Sequence, residues 1–135
     1  MGFKLKRALA ALGVVACVAV PVFGETSWNS NAISGGGSYS TSSVTKKTSP
    51  TGAPALVQFT EFTNYDAKPS DHPLALRVRT PGGAAATGVF SVYGTGTNTL
   101  YYNSGYGIYA KDYVANVATH TASTRGASFA FYFTP

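Results

Sequence analysis

The stretch Ala127-Ser128-Phe129-Ala130-Phe131-Tyr132-Phe133, near the end of the chain, decides how the rest is read. Alternation places Phe129, Phe131 and Phe133 on one face, and the run contains no charge, glycine or proline. Edge strands usually carry such interruptions, which discourage pairing with other chains, so the pattern predicts a central β-strand. A central strand needs a neighbour on each side, and the preceding sequence has to supply them.

Outward from that run, Thr, Tyr, Val and Phe alternate through most of the chain, while Ala, Leu, Glu and Lys do not recur at helical spacing. Strands are expected near Tyr39, Ala55, Leu74, Gly88, Thr99, Gly107 and Ala127, about seven at the spacing of a β-sandwich. The predicted fold is all-β, a single small antiparallel β-sandwich. Residues 39–47 read as a polar edge strand ending in Lys46-Lys47, followed by a turn at 49–52. In residues 55–63, Val57, Phe59 and Glu61 share one face and Leu56, Gln58, Thr60 and Phe62 the other, so the two aromatics are expected to point apart. The cleanest amphipathic strand is 74–80, with Leu74, Leu76 and Val78 inward and Arg77 and Arg79 outward. Residues 88–93 and 99–102 read as a hairpin across 94–98. Residues 106–117 read as the longest strand, with room for a bulge, and 120–126 as a loop.

At the other end, Lys4, Lys6 and Arg7 precede the apolar run 8–20, and Pro21-Val22-Phe23-Gly24 leads into the polar Glu25-Thr26-Ser27. This is the layout of a secretory signal peptide, with cleavage expected between Gly24 and Glu25 and an extracellular product. A retained membrane anchor needs roughly 18–20 apolar residues, and this run is shorter and broken by Pro21. Cys17, the single cysteine, follows small residues as in a lipoprotein, but the residues after it stay apolar, so lipid anchoring is the lesser reading. With residues 1–24 removed no cysteine remains, and the core has to hold the fold without a disulfide.

The same cleavage changes the charge. Three of the ten Lys and Arg residues lie in the leader, so the net charge falls from +5 to +2 against five acids. A nucleic-acid binder carries a basic stripe, and here only Lys46-Lys47 and the pair Arg77 and Arg79 remain, so no nucleic-acid partner is expected. Residues 25–38, rich in Ser, Asn and Gly, read as a flexible arm anchored by Trp28, which serves either as a plug for the core or as a ligand platform. Residues 39–135 form the sandwich domain.

The longest irregular connection is 64–73, with Tyr65, two prolines and mixed charge, and scaffolded loops of this kind carry function disproportionately. Asp71 next to His72 invites a catalytic or metal reading. Adjacent side chains point apart on an extended backbone, however, and His120 lies far along the chain without a metal-ligand spacing. Tyrosine is concentrated at Tyr101, Tyr102, Tyr106, Tyr109 and Tyr113. Tyr among Ser, Gly and Asn suits protein or sugar recognition, and it is equally an ordinary residue of a half-buried sheet. The ligand-binding candidates are Tyr101, Tyr102, Tyr106, Tyr65 and Trp28. There is no Gly-x-Ser-x-Gly elbow, no phosphate loop at Gly94-Thr95-Gly96 and no evident catalytic carboxylate pair, so the chain is read as a non-enzyme without cofactor or metal.

The start Glu25-Thr26-Ser27-Trp28, the Gly- and Ser-rich step to Tyr39-Ser40, and Gly107-Ile108-Tyr109-Ala110-Lys111 with Ala127-Ser128-Phe129 resemble the lactococcin-type bacteriocins. These are small secreted, cysteine-free β-sandwiches with a signal peptide. The chain is also similar to uncharacterised secreted Gram-positive proteins that end in an aromatic strand before a terminal proline such as Pro135. The resemblance implies non-covalent binding to a cell-envelope component of a competing bacterium, such as a cell-wall precursor. The rival expectations are an extracellular structural or interaction protein that assembles through exposed strands, and an inhibitor of a secreted enzyme.

Overall fold

A computed structural model describes residues 25–47 and 50–135. The expectations for the leader, for cleavage after Gly24 and for Cys17 lie outside these residues. The described chain is all-β, with nine strands and no helix: β1 (Ser27–Ile33), β2 (Ser38–Ser40), β3 (Val44–Thr45), β4 (Ala55–Asn64), β5 (Leu74–Arg79), β6 (Phe90–Val92), β7 (Gly96–Leu100), β8 (Asp112–Ala118) and β9 (Ala127–Thr134). They form two antiparallel sheets. The four-stranded sheet runs β1-β9-β4-β7, and the five-stranded sheet runs β2-β8-β5-β6 with β3 also on β8.

The aromatic run is the central strand β9, flanked by β1 and β4. Phe129, Phe131 and Phe133 are buried with Val57 and Phe59 of β4, and the same cluster takes in Leu74, Leu76 and Val78 of β5 and Tyr113, Ala115 and Val117 of β8. One core is therefore shared by both sheets. Tyr39 of β2 reaches across it, with its ring 6.0 Å from that of Phe129 and 6.4 Å from that of Phe131, and its hydroxyl donates to Asn29 Oδ1 of β1. Burying each phenylalanine contributes about 1.5–3 kcal/mol. The alternation read for β5 is also seen, with Leu74, Leu76 and Val78 buried and Arg77 and Arg79 partly exposed.

Five expectations change. The segment read as a flexible arm is instead β1, paired with β9 from Ser27↔Phe133 to Ile33↔Ala127. Its small polar residues can alternate across an edge, and Asn29 faces inward onto Tyr39. In β4 the register shifts between Phe59 and Glu61 opposite β9. One extra residue inverts the side-chain parity, so Phe62 stays on the core side, 5.8 Å from Phe59 at 82°, rather than facing away.

The expected hairpin over 88–102 does not form. β6 pairs with β5 in one sheet and β7 with β4 in the other, so 93–95 cross between sheets. The strand expected over 106–117 is shorter, because Gly105, Gly107 and Ala110 all take positive φ (84°, 72° and 65°), which no strand accommodates, and β8 begins only at Asp112. The longest strand is β4, at 10 residues. Finally, the polar edge expected over 39–47 is broken into β2 and β3, and Lys46 at its end is fully buried. Among the described residues, no helix is long and apolar enough to cross a membrane.

Candidate functional site

The pairing registers give the molecule two ends. Asn64↔Ala127 and Ala75↔Ala118 bring the 65–73 and 119–126 connections to one end. Ala55↔Leu100, with β3 paired to Tyr113 and Asp112, brings Lys46, Lys47, 50–54 and 101–111 to the opposite end. The two regions expected to share recognition, 64–73 and the tyrosines from Tyr101 to Tyr106, therefore lie at opposite ends and cannot form one site.

The tyrosine end contains a groove of about 330 Å³ walled by Pro81, Tyr106, Ile108 and Tyr113, with Lys111 and Asp112 at its polar side. That volume falls in the range of small-ligand sites. The 105–111 loop that forms one wall is fixed from several directions. Gly52 N–H donates to Gly107 O at 2.8 Å, Ile108 N–H to the Tyr113 hydroxyl at 2.9 Å, Tyr109 N–H to Thr51 Oγ1 at 3.2 Å and Ala110 N–H to Lys46 O at 2.8 Å. Lys46 N–H in turn donates to Lys111 O at 2.8 Å. Ala110, the single non-glycine residue at positive φ among those described, lies in this loop, and such strain persists only where surrounding contacts over-determine it.

Beneath the loop lies a foundation. Lys46 Nζ donates to the Ala53 carbonyl at 2.7 Å and lies 5.0 Å from the centroid of the Tyr102 ring. Burial lowers the Lys46 pKa from the usual lysine range to about 8. The Tyr102 ring packs 5.0 Å from Tyr113, its hydroxyl is buried, and its pKa is raised, first by burial and then by Tyr113. The ring lies so close to Gly107 that a Cβ there would meet it at 2.5 Å. Gly107 therefore serves both its positive φ and this close approach. Nearby, Lys47 pairs with Glu25 at 2.7 Å and Thr45 Oγ1 donates to Asp112 at 2.7 Å.

The opposite end is held by titratable groups. His72 Nδ1 lies 2.9 Å from Asp66 Oδ1, and the His72 ring stacks on that of His120, with centroids 4.7 Å apart and planes at 22°. Asp66, rather than the adjacent Asp71, is the partner of His72, and His120 is brought to it from 48 positions along the chain by the β4–β9 and β5–β8 pairings. Hydrogen bonds from the Lys68 backbone, then the Ser123 side chain, then His72, lower the Asp66 pKa to about 2. Ala122 N–H donates to His120 Nδ1 at 3.0 Å, and Asn64 Nδ2 donates to His72 O at 2.8 Å. No group of three or more His, Cys, Asp or Glu side chains among the described residues is placed to hold a metal ion.

Of the five tyrosine and tryptophan candidates, Tyr106 lines the groove, and Tyr102, partly buried, packs against the same core beneath the loop without lining the groove. Tyr101 is 68% exposed beside them. Tyr65 is exposed at the histidine end, with its hydroxyl 3.2 Å from Ser128 Oγ. Trp28 does not plug the core. It lies on the outer face of the four-stranded sheet, 52% exposed, against Tyr132 at 4.8 Å.

Sequence reasoning missed Ile108, Lys111 and Tyr113 as groove residues and Lys46 as their support. The alternating Gly105-Tyr106-Gly107 was the available signal for a built loop, whereas nothing in the sequence separates a buried lysine from an edge lysine. Comparison of the chain with protein-family models gave no match, and comparison with curated proteins gave no relative.

Proposed function

We propose that the chain is an exported, non-enzymatic β-sandwich that binds a cell-envelope component through the groove beside Tyr106, the non-covalent binding that its resemblance to the lactococcin-type bacteriocins implies. The observation that carries this reading is a concave site with apolar and aromatic walls and a few polar groups, whose wall-forming loop is fixed by backbone hydrogen bonds before any ligand arrives. Tyr106 and Ile108 offer apolar contact over the buried Tyr113, and Thr80, Lys111 and Asp112 offer hydrogen-bond donors and acceptors. This mixture suits a saccharide or a short peptide of the envelope. Purified protein is expected to co-sediment with isolated Gram-positive cell envelope and to inhibit growth of related bacteria. Binding that survives Tyr106→Ala together with Ile108→Asp would show that the groove is not the site.

A second reading rests on β1. Its outer edge offers seven uncharged residues without proline or glycine, the kind of edge that pairs with further strands. An interaction protein assembling through that edge would self-associate without inhibiting growth, and sedimentation of the purified chain separates the two readings.

A further inference from the structure

The groove reading leaves the histidine end unexplained. Two connections that cross between the sheets, β4 to β5 and β8 to β9, meet there, and their contact includes Asp66, His72 and His120, the hydrogen bond of the Ser123 side chain to Asp66, and Tyr65 N–H donating to Gly126 O at 3.0 Å. The 119–126 connection also supports the β1–β2 link: Gly36 N–H donates to Thr119 Oγ1 at 2.8 Å, Thr119 N–H donates to Gly37 O at 3.1 Å, and the Thr124 backbone leaves no room for a side chain at Gly35.

We propose that Asp66, His72 and His120 form an acid-sensitive latch that clamps the two crossings at neutral pH and releases the 119–126 connection when both imidazoles carry a proton. The hydrogen bonds fix where each proton sits. Asp66 accepts from the Lys68 backbone and remains a carboxylate through mild acid, so His72 Nδ1 is the donor in their 2.9 Å contact and charging His72 strengthens it. His120 behaves oppositely. Its Nδ1 accepts the Ala122 N–H, so its own proton is on Nε2, and a second proton has to take Nδ1 and remove that acceptor. The new charge also lies in a ring stacked 4.7 Å from the His72 ring. The other charged residues of the packed elements are Lys68 and Asp71 in one connection and Arg125 in the other, and the β1–β2 link carries none.

Amide hydrogen exchange of the full chain, corrected for intrinsic rates, tests this between about pH 7.5 and about pH 5, the span in which histidine charge changes. Protection at Tyr65, Ala122 and Thr119 is expected to fall at least tenfold on acidification, while Lys46 and Ala110 at the other end keep theirs. His120→Phe retains a stackable ring without a titrating nitrogen, so its thermal transition is expected to persist and its exchange at Tyr65 and Thr119 to become independent of pH. Asp66→Asn is expected to lose protection at neutral pH already. Unchanged protection in the wild type at pH 5, or the same acid response in a folded His120→Phe protein, would overturn the proposal.

Discussion

The two ends of the molecule close the same pair of sheets by different chemistry. At the histidine end, two connections meet through two imidazoles and a carboxylate. At the tyrosine end, the loop is held by backbone hydrogen bonds, a buried lysine and a ring packed against a glycine, and its charges are left at the rim of a groove. A contact made of backbone and apolar surface is indifferent to mild acid, whereas one made of imidazoles is not. A small β fold can thus close its two ends with unlike contacts, one of backbone and apolar surface and the other of imidazoles and a carboxylate.

Removal of β9 is expected to have the largest effect, because it is the strand between β1 and β4 and supplies Phe129, Phe131 and Phe133 to the shared core. Deleting residues 127–135 is expected to abolish cooperative unfolding in calorimetry, and Phe131→Ala to cost about 3–5 kcal/mol. Next in size is Gly107→Val, which forces a β-branched residue into positive φ and into the Tyr102 ring. A loss of about 2–4 kcal/mol by chemical denaturation is expected from overpacking and strain together, with the groove disordered and the histidine end intact by amide exchange.

Two smaller effects sharpen the contrast in electrostatics. The folded pKa of Lys46, about 8, lies below the ordinary lysine value of 10.5, so the unfolded chain binds more protons between these values. Stability contributed by this site therefore rises as pH increases through that window, and Lys46→Met is expected to remove the rise in a pH series of melting curves. Asp66 acts in the other direction on the scale. With its pKa lowered from 3.8 to about 2, its contribution is complete above about 3.8 and is lost as pH falls towards 2, and Asp66→Asn is expected to abolish that part of the acid dependence.

The core was legible in the sequence because period-2 alternation is a local property, and the phenylalanines of β9 and the whole of β5 and β8 follow it directly. The departures have physical causes that alternation does not record. The bulge in β4 inserts one residue and returns Phe62 to the core, and the positive φ values around Tyr106 convert an expected strand into a loop. The site was only partly legible. Tyr102 and Tyr106 were found because tyrosine clusters are visible in sequence, but His72 and His120 meet only through sheet register, and Lys46 is buried by a loop that lies over it.

The proposed envelope binding belongs to the tyrosine end and not to the histidine end. Co-sedimentation with isolated Gram-positive cell envelope at neutral pH, using Ile108→Asp and His120→Phe side by side, tests it most directly. Ile108 is exposed, so its substitution is expected to change stability by no more than about 0.5 kcal/mol while weakening binding at least tenfold. His120→Phe is expected to bind as the wild type does. Full binding by a folded Ile108→Asp protein, or loss of binding in His120→Phe alone, would contradict the account.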